Sequence, residues 1–175
     1  LSSGSAYKKP EDDLRDVTVQ WSIISEGLAH STHSEAGVFQ EHSTGLSVSG
    51  KNYNSTGQTG NITIHHNLLA HNGGRNPQNA GYGLEDVVNN VIYNWGGQGF
   101  TTHDLQADVP SNVVNNFFKP GINTTGYEIR ASHVNEANTG PRIYVSGNIG
   151  PRRTDDTQPG LNSVSPSDRT YTVSS

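Results

Sequence analysis

Apolar and polar positions alternate in short runs along this chain, and four of those runs close on an asparagine. They are Ile62-Thr63-Ile64-His65-His66-Asn67, Val87-Val88-Asn89-Asn90, Val113-Val114-Asn115-Asn116 and Ile143-Tyr144-Val145-Ser146-Gly147-Asn148. Alternation at a period of two marks a strand with one buried face. A strand-bearing unit that recurs within roughly 20 to 50 residues marks a solenoid, in which each repeat buries its face only by stacking on its neighbours. Asparagine suits the bend after each strand, because it tolerates the left-handed conformation and bonds nearby backbone. Stacked coil on coil, its amide can donate to one neighbouring amide and accept from the other, which satisfies groups that are costly to bury unpaired. The pattern predicts an all-β parallel β-helix with an asparagine ladder. The widening intervals between the asparagines predict loops of unequal length on a constant strand register.

The rest of the chain fits around those rungs. Residues 1–16 are polar and carry the charge cluster Lys8-Lys9-Pro10-Glu11-Asp12-Asp13, which predicts an arm or loop rather than a strand. Val17 to Ile24 alternates and then turns apolar, so the solenoid is expected over 17–151. A His-rich polar stretch runs from His30 to His42, followed by a short strand at Leu46-Ser47-Val48-Ser49 and a Gly/Asn/Ser/Thr loop from Lys51 to Gly60. Residues 152–175 are rich in Pro, Ser, Thr and Asp and hold one strand candidate, Tyr171-Thr172-Val173; they read as a tail or cap. No long helix is expected.

Composition narrows the alternatives. Only 30% of the 175 residues are hydrophobic and 15% are charged, which is thin for a broad α/β core but enough for a narrow solenoid. The net charge of −5 argues against nucleic acid as a partner. No apolar run approaches the roughly 18 residues of a membrane span. With 0 cysteines, disulfides are excluded. The sequence begins at Leu1 and contains no methionine, which reads as a processed or excised product. Sequons at Asn54, Asn61 and Asn123 are glycan acceptors in a glycosylating host, and a secreted, extracellular protein is expected.

Five ordered segments resemble the pectate lyases of polysaccharide lyase family 1. They are Val17–Leu28; His65–Asn72 with Arg75-Asn76-Pro77; Val88–Gly96, ending in Asn94-Trp95-Gly96; Asn115–Gly121, ending in Lys119-Pro120-Gly121; and Ile143–Asn148. The resemblance covers about residues 17 to 150, the C-terminal two-thirds of the family's β-helix. It implies a right-handed parallel β-helix and calcium-dependent cleavage of polygalacturonate by β-elimination. Elimination beside a uronate needs a base for the C5 proton and positive charge for the enolate that forms. The resemblance implies that Arg75 is that base. Where the family has a second arginine this chain has Gln78 or Ala80, and where it has a lysine the chain has His33-Ser34-Glu35. The family's calcium-binding acids belong to coils before Val17, with Asp12 and Asp13 as the nearest substitutes.

Other residues invite weaker roles. Lys119, Trp95 and His71 are candidates for substrate binding, and Trp21, like Trp95, could stack on a sugar or pack in the wall. Glu26 and Asp86, with Glu85, are candidates for calcium, which prefers several oxygen ligands. His65 and His66 are adjacent, so in a strand they point to opposite faces and do not share a metal; His30, His33 and His42 lack a ligand signature. Arg75 itself could instead serve by pairing with a carboxylate or bonding backbone carbonyls. Two functions remain. One is a secreted protein acting on or binding acidic polysaccharide. The other is a non-catalytic β-helix that self-associates head to tail into a filament through unpaired strand edges.

Overall fold

The computed structural model describes residues 2–3, 15–28, 43–50, 60–81, 83–104, 109–137 and 139–174. Asp12, Asp13, His30, His33, Glu35, His42 and Asn54 lie outside the described residues. Within them the chain forms a right-handed parallel β-helix of three sheets. Sheet A stacks β1 (Ser2–Ser3), β4 (Ser47–Gly50), β7 (Gln78–Ala80), β10 (Gln98–His103) and β13 (Tyr127–Ser132), in that order. Sheet B stacks β2 (Arg15–Gln20), β5 (Gly60–His65), β8 (Glu85–Val88), β11 (Pro110–Val114) and β14 (Arg142–Ser146). Sheet C stacks β3 (Ile23–Ser25), β6 (Leu68–Ala70), β9 (Val91–Tyr93) and β12 (Phe117–Lys119). Every pairing between these strands is parallel.

The alternation read in the sequence sets the core. In sheet B, Val19, Ile64, Val87, Val113 and Val145 face each other rung by rung. Ile24, Leu69, Ile92 and Phe118 do the same in sheet C. These stacks meet Val48, Phe100 and Ile129 of sheet A in one apolar column. A narrow core of this kind needs few large side chains, which is why so hydrophilic a chain can fold.

The asparagine ladder is present between sheets B and C. Asn67 Nδ2 donates to Asn90 Oδ1 at 3.1 Å, Asn90 to Asn116 at 3.0 Å, and Asn116 to Asn148 at 3.0 Å. Each Oδ1 also accepts the backbone N–H of the preceding ladder residue, at 2.9–3.0 Å. One detail differs from the expectation. The left-handed residue is not the ladder asparagine but the one before it, His66, Asn89, Asn115 and Gly147, and Trp21 before Ser22 holds the same position in the first coil, with φ between 52° and 64°. The ladder residue itself turns its amide inward, and all four are buried.

The ends differ from the sequence reading as well. Ser2–Ser3, expected in an arm, pairs with Ser49 and Gly50 as a strand. Sheet B begins at Arg15, two residues before the expected start. The C-terminal segment forms two 3-10 helices, Gly160–Ser163 and Pro166–Tyr171, in place of a strand over Tyr171–Val173; only Thr172 bridges, to Ile143. It lies across the last rung, where Ser165 N–H donates to Ile129 O and Val173 N–H to Ile143 O. Asp168 receives Arg130 Nε at 2.7 Å and the Ala131 N–H at 3.0 Å. Buried Arg153 donates to Asn148 O at 2.7 Å, closing the ladder. No helix among the described residues is long and apolar enough to cross a membrane.

Candidate active site

Arg75 sits on the loop that leads from sheet C to sheet A, in the left-handed conformation (φ 57°), directly before Asn76 and Pro77. Its carbonyl accepts the Leu46 N–H at 3.1 Å, and Asn76 N–H donates to Gly99 O at 2.8 Å. These bonds fix the backbone on both neighbouring coils. Asn76 is buried, and its Oδ1 accepts from Asn72 Nδ2 at 3.0 Å, tying the loop to itself. The guanidinium has no carboxylate partner among the described residues. Arg130 and Arg152, by contrast, are paired with Asp168 and Glu128.

Beside Arg75 lies a residue that sequence reasoning missed. His103, the last residue of β10, receives a hydrogen bond on Nε2 from Gln78 Nε2 at 2.8 Å. An amide nitrogen only donates, so the histidine is neutral with its proton on Nδ1. That Nδ1 is enclosed and has no partner among the described residues. Burial, then the positive charge of Arg75, push the His103 pKa down. Gln78, one of the two positions (with Ala80) where the resemblance implied a second arginine, is buried and forms a neutral Gln–His pair near Arg75. The sequence signal was only that β10 is polar and continues Arg75's sheet; nothing in its spacing marks His103.

The loops between sheets C and A line an open cleft of about 530 Å³, whose lining does not include Arg75. His71, Asn94, Asn123, Thr125 and Ile122 face it. Asn94 Nδ2 donates to His71 Nδ1 at 2.8 Å, and Asn94 Oδ1 accepts the Asn123 N–H at 2.8 Å. His71 also packs edge-on to Tyr93, whose ring carries Lys119 Nζ at 5.4 Å. The structure thus links His71 and Lys119 through Tyr93. It removes Trp95 from them: the indole is fully buried against Phe118 and its N–H donates to Gly126 O, so it cannot stack on a sugar. The apolar column needed a large side chain where the loop re-enters, and Trp95 fills it.

The candidate calcium ligands do not converge. Glu26 is an exposed left-handed residue after β3 in sheet C. Asp86 is on the outer side of sheet B, accepting from Asn112 Nδ2 at 2.7 Å. Glu85 points inward and is fully buried, with both oxygens unpartnered among the described residues, and desolvation pushes its pKa well up. No cluster of three acidic or histidine ligands occurs among the described residues. These acids therefore do not fit a calcium ion. His65 and His66 also differ from expectation. The left-handed turn at His66 brings their Nδ1 atoms to 2.7 Å instead of sending the rings to opposite faces.

Comparison with known proteins supports the fold and its kinship. No family model matches the chain. The protein named probable pectate lyase C from Aspergillus terreus is 34% identical over 111 residues, covering 63% of this chain and 22% of that protein. The protein of the same name from Aspergillus oryzae is 33% identical over 114 residues, covering 65% of this chain and 22% of its own length. That from Emericella nidulans is 32% identical over 110 residues, at 63% and 20%. The chain thus spans about a fifth of the length of the curated relatives it matches. Through its stacked parallel coils and these alignments, the chain is a relative of the pectate lyases within a pectate-lyase-like superfamily.

Proposed function

We propose that the chain is part of a secreted protein that acts on an acidic, uronate-containing polysaccharide, with Arg75 at the reacting uronide. The observation that carries this is the Arg75 guanidinium. The main chain that carries it is bonded to both neighbouring coils, it has no carboxylate partner among the described residues, and it lies beside a neutral Gln78–His103 pair. A free cation in such a place is suited to a sugar carboxylate, which it can meet with two parallel hydrogen bonds. In β-elimination the C5 proton leaves, the C4–oxygen bond breaks, a C4–C5 double bond forms, and the departing oxygen takes a proton from solvent. As a guanidinium Arg75 only donates and is suited to face the negative charge that develops on the carboxylate; it is the candidate base only in its deprotonated guanidine form, which becomes that cation on taking the C5 proton. His71 and Lys119 are candidates for holding neighbouring sugars at the cleft. Calcium dependence belongs to the same proposal; Glu26, Glu85 and Asp86 do not form one cluster among the described residues, and no step is assigned to the ion.

The test is production of unsaturated uronides from polygalacturonate, read as rising ultraviolet absorbance, with calcium and with chelator. Arg75→Ala is expected to abolish the rise and leave the fold intact. Activity equal to that of the parent would remove Arg75 from the chemistry. A silent parent, across pH and calcium, would favour a second reading: a β-helix that keeps the scaffold without the reaction. Neutral Gln78 is the observation on its side. Head-to-tail assembly is a weaker form of that reading, since the 3-10 segment lies across one end and a stacking neighbour would have to displace it.

A further inference from the structure

The corner between sheets B and C carries a feature that the Arg75 chemistry does not use. Trp21 occupies the first left-handed position of that corner, which throws its ring outward, and it is 75% exposed. A large apolar ring so exposed on a well-packed solenoid calls for an explanation. The ring is not loose. It stacks on His66 of the next coil, with centroids 4.6 Å apart and planes 27° from parallel. His66 is held in turn by His65, Nδ1 to Nδ1 at 2.7 Å. The next two left-handed positions, Asn89 and Asn115, present exposed amides in the same line. Alongside runs an outward apolar row in strict register, Ile23, Leu68, Val91 and Phe117, of which Ile23 is 74% exposed. Between the aromatic stack and this row lies an open groove of about 470 Å³ lined by Trp21, His66, Leu68, Asn89 and Val91.

We infer that this corner is a second glycan-binding surface, distinct from the Arg75 site, that takes a neutral pyranose polymer. A flat, pre-positioned aromatic face matches the C–H face of a pyranose ring, and rigid aromatics give contact area at little entropic cost. The amides of successive coils, about 4.8 Å apart, follow a sugar chain at a step comparable to one residue and offer donors and acceptors to its hydroxyls. Charge selects among polymers. No lysine or arginine lines the groove among the described residues, so a polyuronate would lose carboxylate hydration there without a cation in return. A neutral, equatorially linked glucan or xylan has no such cost.

Retention of the full chain in affinity gels containing soluble β-glucan, xylan or polygalacturonate tests this, together with a cellulose pull-down. The parent should be retarded by a neutral polymer, and Trp21→Ala should weaken retention about tenfold or more. Trp21→Tyr should restore most of it, and Arg75→Ala should bind as the parent does. Near-ultraviolet circular dichroism from buried Trp95 reports folding of each variant. Neutral polymer should also shield Trp21 from acrylamide quenching and leave Trp95 unchanged. Equal retention of Trp21→Ala, no retention of the folded parent, or retention by polygalacturonate alone would overturn the inference. So would a Trp21-dependent dimer in sedimentation with no retention, which would assign the surface to a second copy. None of these outcomes depends on elimination activity, so the lyase proposal can fail without this one failing.

Discussion

The corner between sheets B and C and the side of the molecule around sheet A spend their polar groups in opposite ways. At the corner, each ladder amide donates and accepts within the stack, and the pattern repeats from Asn67 to Asn148. At sheet A and its junction with sheet B, four buried polar atoms have no partner among the described residues: both Glu85 oxygens, Thr102 Oγ1 and His103 Nδ1. A satisfied repeat stabilises the fold, while an unsatisfied and irregular patch costs stability and is kept where a site is needed. The difference teaches where to look for function in a solenoid: at the exceptions to its repeat.

Substitutions at the two places should therefore move stability in opposite directions. The largest effect is expected for Asn90→Ala. It removes the acceptor for two Asn67 donors and the donor to Ile64 O, Val88 O and Asn116 Oδ1. Denaturant unfolding should show a loss of about 3 kcal/mol or more, because partners stay buried without bonds. A loss under about 1 kcal/mol would mean that the ladder is ornamental.

Glu85→Gln should act the other way and by less, raising stability at neutral pH because the amide cannot ionise in the unfolded chain. The sign follows from the raised pKa of Glu85 in the fold. Below the unfolded carboxylate pKa both states are protonated and its contribution is fully present. As pH rises towards the folded pKa, the unfolded chain alone ionises and stability falls. Melting temperature against pH should decline through that window in the parent and be flatter in the variant. Identical slopes would show that Glu85 has found a partner.

His103→Gln should give a smaller effect on the acid side. Its folded pKa is lowered, so stability is complete above the unfolded histidine value and is lost as pH falls through the window below it. The variant should lose that acid-side slope. Smallest of all is Arg75→Ala, which should stay within about 0.5 kcal/mol of the parent, since its guanidinium has no carboxylate partner among the described residues.

The contrast also explains how much was legible in the sequence. The ladder could be read because solenoid stacking imposes one residue type at one place in each coil, and the strands of sheets B and C alternate around it. The left-handed residue was displaced by one position because two adjacent asparagines, as at Asn89-Asn90, do not say which one turns. Trp95 and Trp21 follow similar runs and have opposite fates, one filling the column and one leaving it. Only the turn geometry separates them, since Trp21 holds a left-handed slot and Trp95 does not. Arg75 stands out in the sequence through its motif, Arg75-Asn76-Pro77. His103 was not, because it reaches Arg75 and Gln78 across coils rather than along the chain.

The most direct test is to titrate a saturated galacturonate oligomer into isotope-labelled protein and follow side-chain signals by magnetic resonance. Arg75 Nε–H, the Gln78 amide and the His103 ring should shift together, and the ladder amides of Asn67, Asn90, Asn116 and Asn148 should stay still. Shifts along the ladder corner with Arg75, Gln78 and His103 unmoved, or no saturable shift at all, would contradict the account.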